Sequence, residues 1–282
     1  MIDIRKVNFT YMSKTPFEKT ALREISFSVN EGDFLAIAGH TGSGKSTLIQ
    51  IIAGLIDLTE GVVEIDGAPV AEKDAHRRIG IVFQYPEYQL FEETVEKDIA
   101  FGPRNFGLAE NEIAARVDES MKLVGLSAEL KNSSPFELSG GQKRRVAIAG
   151  ILALKPKYLI LDEPTAGLDP KARNNLLAEI KKLHRAGVTI IFVSHSMEDI
   201  ARLANRVIVL AQGKILFDGT PRTLFSQSEI LKQAGLMPPP VTQLMQELRR
   251  AGLNVGAEVI TLDEAEREIF NIGSKRKKEQ TL

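Results

Sequence analysis

The residues from Gly39 to Thr47 read Gly-His-Thr-Gly-Ser-Gly-Lys-Ser-Thr, a spacing that fits the phosphate-binding P-loop pattern. Gly39, Gly42 and Gly44 let the backbone curl so that its N–H groups point inward at phosphate oxygens. His40, Thr41 and Ser43 complete the cradle. Lys45 places a compact cation near the β- and γ-phosphates, Ser46 offers a hydroxyl to Mg²⁺, and Thr47 continues into a helix. A chance match in a chain of this length has odds of roughly one in a hundred. An apolar strand before the loop and a helix after it lower those odds further, so nucleotide binding is the expectation. A second group is Asp162-Glu163, which closes the apolar run Tyr158–Leu161. Two acids at a strand end are commonly ordinary surface. With a P-loop upstream they read differently: Asp162 would hold Mg²⁺, directly or through water, and Glu163 would polarise an attacking water.

These residues need a scaffold, and the pattern around them supplies one. Short runs rich in Val, Ile and Leu recur at Phe34–Ala38, Ile79–Phe83, Tyr158–Leu161, Thr189–Val193 and Val207–Leu210. Runs without strict alternation suit strands buried on both faces of a parallel sheet. Helix-like stretches lie between them: Lys45–Ala53, Asn111–Val124, and Ala172–Ala186 ahead of Gly187. The alternation predicts an α/β fold, a P-loop NTPase core with a mixed or parallel sheet. Ligands gather at the carboxyl ends of such strands, which puts Asp162-Glu163 beside the P-loop. About 86–153 the rhythm breaks into a helical insertion within a first domain of 1–220. After Gly219-Thr220-Pro221 the style changes again, and 221–282 reads as a small α+β extension with a basic, frayed end over 274–282.

Composition narrows the classes. The chain has 282 residues, 43% of them apolar, enough for a core. Lys+Arg number 36 and Asp+Glu 37, so no basic excess points to nucleic acid. There is no cysteine, hence no disulfide framework and no thiolate metal site. No secretory signal opens the sequence, and no apolar run reaches the roughly 20 residues of a membrane span. An aqueous, cytoplasmic setting is expected, with any membrane contact made through a partner.

A P-loop alone indicates only an NTPase. Leu138-Ser139-Gly140-Gly141-Gln142 adds a second glycine-rich turn, ahead of a helix-like run from Lys143 to Leu154. It resembles the signature sequence of ABC-type ATPases and lies shortly before the Asp162-Glu163 strand, as in that family. Other positions resemble the family too. Tyr11 is similar to the aromatic residue that stacks on adenine. Gln84 is similar to the glutamine that senses Mg²⁺ and water. Ala166-Gly167-Leu168-Asp169 resembles the loop that crosses the dimer interface, and His195 resembles the switch histidine at the γ-phosphate. The resemblance implies an ATPase that uses ATP and Mg²⁺. Lys45, Glu163 and His195 would be catalytic, and Ser46, Gln84 and Asp162 would hold the metal. It also implies two subunits sandwiching ATP head to tail, the P-loop of one facing Ser139-Gly140-Gly141 of the other.

The stretch Gln84-Tyr85-Pro86-Glu87-Tyr88-Gln89-Leu90-Phe91, continuing to Pro103, resembles the ATPase subunits of energy-coupling factor (ECF) transporters, which import vitamins or transition-metal ions. Thr15-Pro16-Phe17-Glu18 and Lys143-Arg144-Arg145 look most like the second of the two paired ECF ATPases. That implies a heterodimer with a different ABC ATPase and a transmembrane scaffold docking near Gln84–Pro103. A membrane subunit that binds the substrate would be an indirect partner, and the chain would sit peripherally on the cytoplasmic face of the cell membrane. Glu87, Glu92, Glu93, Glu96 and Asp98 give that stretch an acidic excess, expected to dock basic coupling helices. ECF ATPases use a C-terminal extension to hold their two ATPases together, so the resemblance implies that the piece from Val241 to Gly273 is a dimer clasp, with a packed appendage as the alternative. An ATPase of a non-ECF importer is the alternative. DNA-repair and ribosome-acting relatives fit less well, since there is no heptad array between Lys45 and Leu138 and only a single P-loop.

Overall fold

The computed structural model describes residues 1–72, 75, 77–256 and 258–279. Among them, strands β1 (Ile2–Tyr11), β2 (Lys19–Val29), β4 (Glu60–Ile65) and β5 (Ala68–Pro69) form an antiparallel sheet in the order β2-β1-β4-β5. A second sheet runs β10-β9-β3-β8-β7-β6. Its strands are β3 (Phe34–Ala38), β6 (Ile79–Val82), β7 (Tyr158–Asp162), β8 (Thr189–Val193), β9 (Arg206–Ala211) and β10 (Lys214–Gly219). Every pairing in it is parallel except β9 with β10.

The side-chain period of two splits each central strand between two cores. Tyr158 and Ile160 of β7, with Ile191 and Val193 of β8, face the antiparallel sheet and helix α1 (Lys45–Ile52). Leu159, Leu161, Ile190 and Phe192 face the other way. There they meet α2 (Val95–Asn105), α3 (Glu110–Leu123), α4 (Gly140–Leu152) and α5 (Pro170–Arg185). Each fully buried side chain of this kind contributes roughly 1.5–3 kcal/mol of burial. Ala36, Ala38, Val207 and Val209 build a third cluster with α6 (Met197–Leu203), α7 (Pro221–Ser226) and α8 (Ser228–Gln233).

Register decides where the strand ends fall. Ile37 pairs with Val193, Val193 with Asp162, and Leu161 with Val82. The P-loop, Gln84, Asp162-Glu163 and His195 therefore all leave the sheet at one edge, outside the carboxyl ends of parallel strands.

Two expectations need correction. Helix α4 begins at Gly140, not Lys143, because Ser139 and Gln142 close a capping box that starts the helix three residues earlier. The extension is helical rather than α+β. Among its described residues it holds α7, α8, α9 (Pro240–Arg250) and α10 (Leu262–Glu279), with no strand. Val255 and Val259 pack from the segment between α9 and α10 onto Met245 and Ala265. Residues 274–279 continue α10, while 280–282 lie outside the described residues. No helix among the described residues is long and apolar enough to cross a membrane.

Candidate active site

The P-loop is gripped from two sides. A Cβ on Gly39 would lie 2.3 Å from the Leu210 carbonyl oxygen, and one on Gly44 would lie 2.8 Å from that of Ala21. Gly44 also caps α1 at φ 107, a conformation that suits glycine. Side chains at either position would push the loop off strands β9 and β2. Lys45 Nζ donates to the carbonyls of Gly39 (2.7 Å) and His40 (3.1 Å). Burial lowers the Lys45 pKa, opposed by the charges of Glu163 and Asp162. Ser43 Oγ is fully buried within the turn and has no partner among the described residues. An orphaned hydroxyl there fits a cradle made for an anion's oxygens.

Thr41, Gly42, Gly44, Lys45, Ser46 and Thr47 line a cavity of about 670 Å³. Tyr11, Gln84, Asp162, Glu163 and His195 line it too. Tyr11 Oη lies 2.9 Å from Thr47 Oγ1, and its ring meets Phe9 edge-on at 4.7 Å. Glu163 takes a left-handed turn at φ 48 while its N–H donates to the Val193 carbonyl. That turn aims its carboxylate at His195, with Oε2 to Nδ1 at 2.8 Å; the Glu163 side chain is 13% exposed and that of His195 73%. Burial, then the neighbouring Glu163 charge, push the Asp162 carboxyl up to about 6, against the pull of Lys45. A carboxylate this short of positive charge, with the oxygens of Ser46 and Gln84 on the same cavity wall, suits a hard divalent cation. Gly39 and His40 line an adjoining cavity of about 760 Å³ with Lys45, Glu163 and His195.

The structure does not bring the remaining predicted residues to that place. Ser139, Gly140, Gly141, Gln142 and Asp169 line a separate cavity of about 600 Å³. Ser139 Oγ donates to Gln142 Oε1 (2.8 Å) and accepts from the Gln142 N–H (3.4 Å). Asp169 caps α5, accepting from Lys171 and Ala172. Between these turns sits Arg144, nearly fully buried. It grips Glu87 with two bonds (2.7 and 3.0 Å) and donates to the Pro164 and Ala166 carbonyls, both at 2.9 Å. Burial works against the Glu87 carboxylate, but the Arg144 bonds outweigh it and hold its pKa below the usual range.

Within the acidic stretch, the structure corrects the reading of Glu87 alone as a surface acid. Glu87 faces inward, Glu93 pairs with Lys97, Glu96 with Lys131, and Asp98 accepts the N–H groups of Phe91 and Glu92. Beside the exposed Glu93 the stretch also exposes aromatic surface: Tyr88 is 84% exposed, and Phe91 meets Phe101 edge-on at 4.8 Å. Sequence reasoning also missed Lys19, Thr20, Ala21, Arg23, Gln212 and Gly213, which line the P-loop cavity. They come from β2 and the β9–β10 turn, and no local motif marks them.

Residues 22–166 match the family model described as ABC transporter. The chain is 54% identical to the energy-coupling factor transporter ATP-binding protein EcfA2 of Clostridium perfringens, over 96% of this chain and 98% of that one. It is 53% identical to the protein of the same name from Caldanaerobacter subterraneus, over 95% and 96%. Among solved structures, cbiO1 of Clostridium perfringens, part of the ABC transporter complex cbiONQ, is similar at a TM-score of 0.74 and 34% identity, covering 89% of this chain and 96% of that one. A dimeric ATP-binding cassette holding ADP and phosphate after hydrolysis is similar at 0.69 and 32%, covering 78% and 99%. The chain belongs to the ABC transporter family, among the ATPases of its energy-coupling factor branch.

Proposed function

We propose that this chain is the ATP-hydrolysing motor subunit of an energy-coupling factor importer, paired head to tail with a second, different ABC ATPase. The observation that carries the pairing is the separation of its two glycine-rich turns. The P-loop lines one cavity and Ser139-Gly140-Gly141 another, so one chain offers two unlike half-sites. A head-to-tail pair completes both.

In each completed site the P-loop N–H groups and Lys45 would hold the phosphates, and the Tyr11 ring would stack on adenine. Ser46, Gln84 and Asp162 would hold Mg²⁺, whose charge would offset that developing on the γ-phosphate. Glu163 would orient the attacking water and accept its proton, with His195 fixing the carboxylate and reaching toward the γ-phosphate. Ser139 and the first N–H groups of α4 would meet that phosphate from the partner's side. The chemistry is positioning and charge stabilisation.

The exposed Tyr88, Phe91 and Phe101 would seat coupling helices of a transmembrane scaffold. This places the chain peripherally on the cytoplasmic face of the membrane, driving uptake of vitamins or transition-metal ions bound by a further membrane subunit. The extension beyond 220 would help hold the two ATPases together. Affinity purification from native membranes, with partners identified by mass spectrometry, tests the reading. It should recover a second ABC ATPase with an integral scaffold protein. Recovery of this chain with only a permease pair and an extracytoplasmic binding protein would refute the energy-coupling assembly and leave the ATPase intact.

A further inference from the structure

Asp199, on α6, is fully buried and outside the P-loop cavity. Two side chains, Arg173 and Thr165, bond to its carboxylate. Arg173 of α5 donates to Oδ1 from Nε (3.1 Å) and Nη2 (2.8 Å). Thr165 donates its hydroxyl to Oδ2 at 3.1 Å. The Arg173 Nη2 also donates to Ser196 Oγ at 2.6 Å, and Ser196 Oγ accepts the Asp199 N–H at 3.3 Å.

The sequence positions of these partners matter. Thr165 lies two residues after Glu163, and Ser196 directly follows His195. Arg173 is in the first turns of the helix that the Ala166–Asp169 loop enters, and its own N–H bonds to the Asp169 carbonyl. The buried carboxylate thus ties the loop that presents Glu163 to the helix that follows Asp169, and Arg173 carries the tie on to Ser196 in the loop that presents His195. A simple capping role for α6 would need Ser196 alone. The cost of burying a charge is offset here by bonds that all lead to these loops.

We infer that Asp199 is a positioning residue for ATP hydrolysis: through Thr165, Arg173 and Ser196 it fixes the distance between Glu163 and His195. The inference rests on the assignment of Glu163 and His195 to the reaction. Small displacements of reacting groups are costly, with a 1 Å error worth about a hundredfold in rate. The network acts after nucleotide is bound, so its loss lowers kcat and leaves KM and nucleotide affinity near their starting values.

The test uses the complex as purified with its partner ATPase, following phosphate release and the binding of a fluorescent ATP analogue with Mg²⁺. Thr165→Val removes one hydrogen bond and is expected to lower kcat about tenfold, with KM for ATP changed less than about twofold. Arg173→Met alone strands the carboxylate, so it is paired with Asp199→Leu. Replacing both partners of a buried ion pair by apolar groups restores stability in other proteins. In that double variant the melting temperature is expected to return to the wild-type value while kcat stays low. Restored turnover there overturns the proposal, because the pair would then serve only the fold. Wild-type kcat in Thr165→Val overturns it equally, and that variant decides the matter if the double variant does not fold. Glu163→Gln is the control for the underlying assignment. An inactive Glu163→Gln beside an active Thr165→Val refutes only the role of Asp199, whereas an active Glu163→Gln refutes the site itself.

Discussion

The P-loop cavity and the signature cavity are built by different means. The first is set by sheet register: Ile37, Val193, Asp162 and Val82 are held level by backbone bonds, and the P-loop, Gln84, Glu163 and His195 follow within a few positions. None of the residues lining the second lies in a strand. Ser139 and Asp169 hold their turns as helix caps, and Arg144 ties those turns to Glu87 by side-chain bonds alone. The half at the strand ends is locked into the sheet, whereas the other is held by local turns, helix caps and the Arg144 bonds.

The largest expected effect is in the first region. Glu163→Gln should lower kcat by about 10²–10⁴-fold while binding of a fluorescent ATP analogue persists, since in the proposed mechanism only the proton acceptor is lost. Loss of nucleotide binding would show that Glu163 holds the cradle as well, which would blur the contrast. The next is in the second region. Arg144→Ala leaves Glu87 without its partner and should cost roughly 3 kcal/mol in urea unfolding, while affinity at the P-loop stays within error. Lost affinity would break the comparison outright, because it would couple the two halves through the fold. Smaller again is Ser139→Ala, which removes the α4 cap and should cost about 1 kcal/mol in the same measurement.

The smallest effect concerns pH. Asp162 titrates near 6 in the fold against an ordinary value of 3.8, so the folded chain binds its proton more tightly than the unfolded chain does. Its contribution to stability is full below the ordinary value and declines as pH rises through about 6. Without Mg²⁺ or nucleotide, wild type minus Asp162→Asn should show a melting temperature falling by a few degrees across that window. A flat difference would mean that Lys45 already compensates the carboxylate.

Legibility divides along the same line. The P-loop, Asp162-Glu163 and His195 were readable because each is a short motif at the end of an apolar strand, so residue type and strand pattern point the same way. The central strands were readable because burial on both faces leaves continuous apolar runs. The Arg144 clamp was not, since Glu87 and Arg144 are far apart in sequence and nothing local marks their pairing. Reading Glu87 as a surface acid failed for that reason. The start of α4 was misplaced because two glycines argued against a helix and the capping box outweighed them. The extension was misread because its apolar residues are scattered among charges, a mixture that does not by itself tell a helical piece from an α+β one.

The position of β3 has a consequence for how the protein is made. Its neighbours, β8 and β9, begin at Thr189 and Arg206, so the strand that launches the P-loop leaves the ribosome long before either exists. At the usual pace of synthesis the wait is on the order of ten seconds. For that time Phe34-Leu35-Ala36-Ile37-Ala38, wholly apolar and destined to be buried, has no strand to lie against. A nascent chain arrested before Thr189 should therefore be captured by chaperones and be blind to ATP. The nucleotide-binding edge is among the first parts of the sequence to be synthesised and among the last to be assembled.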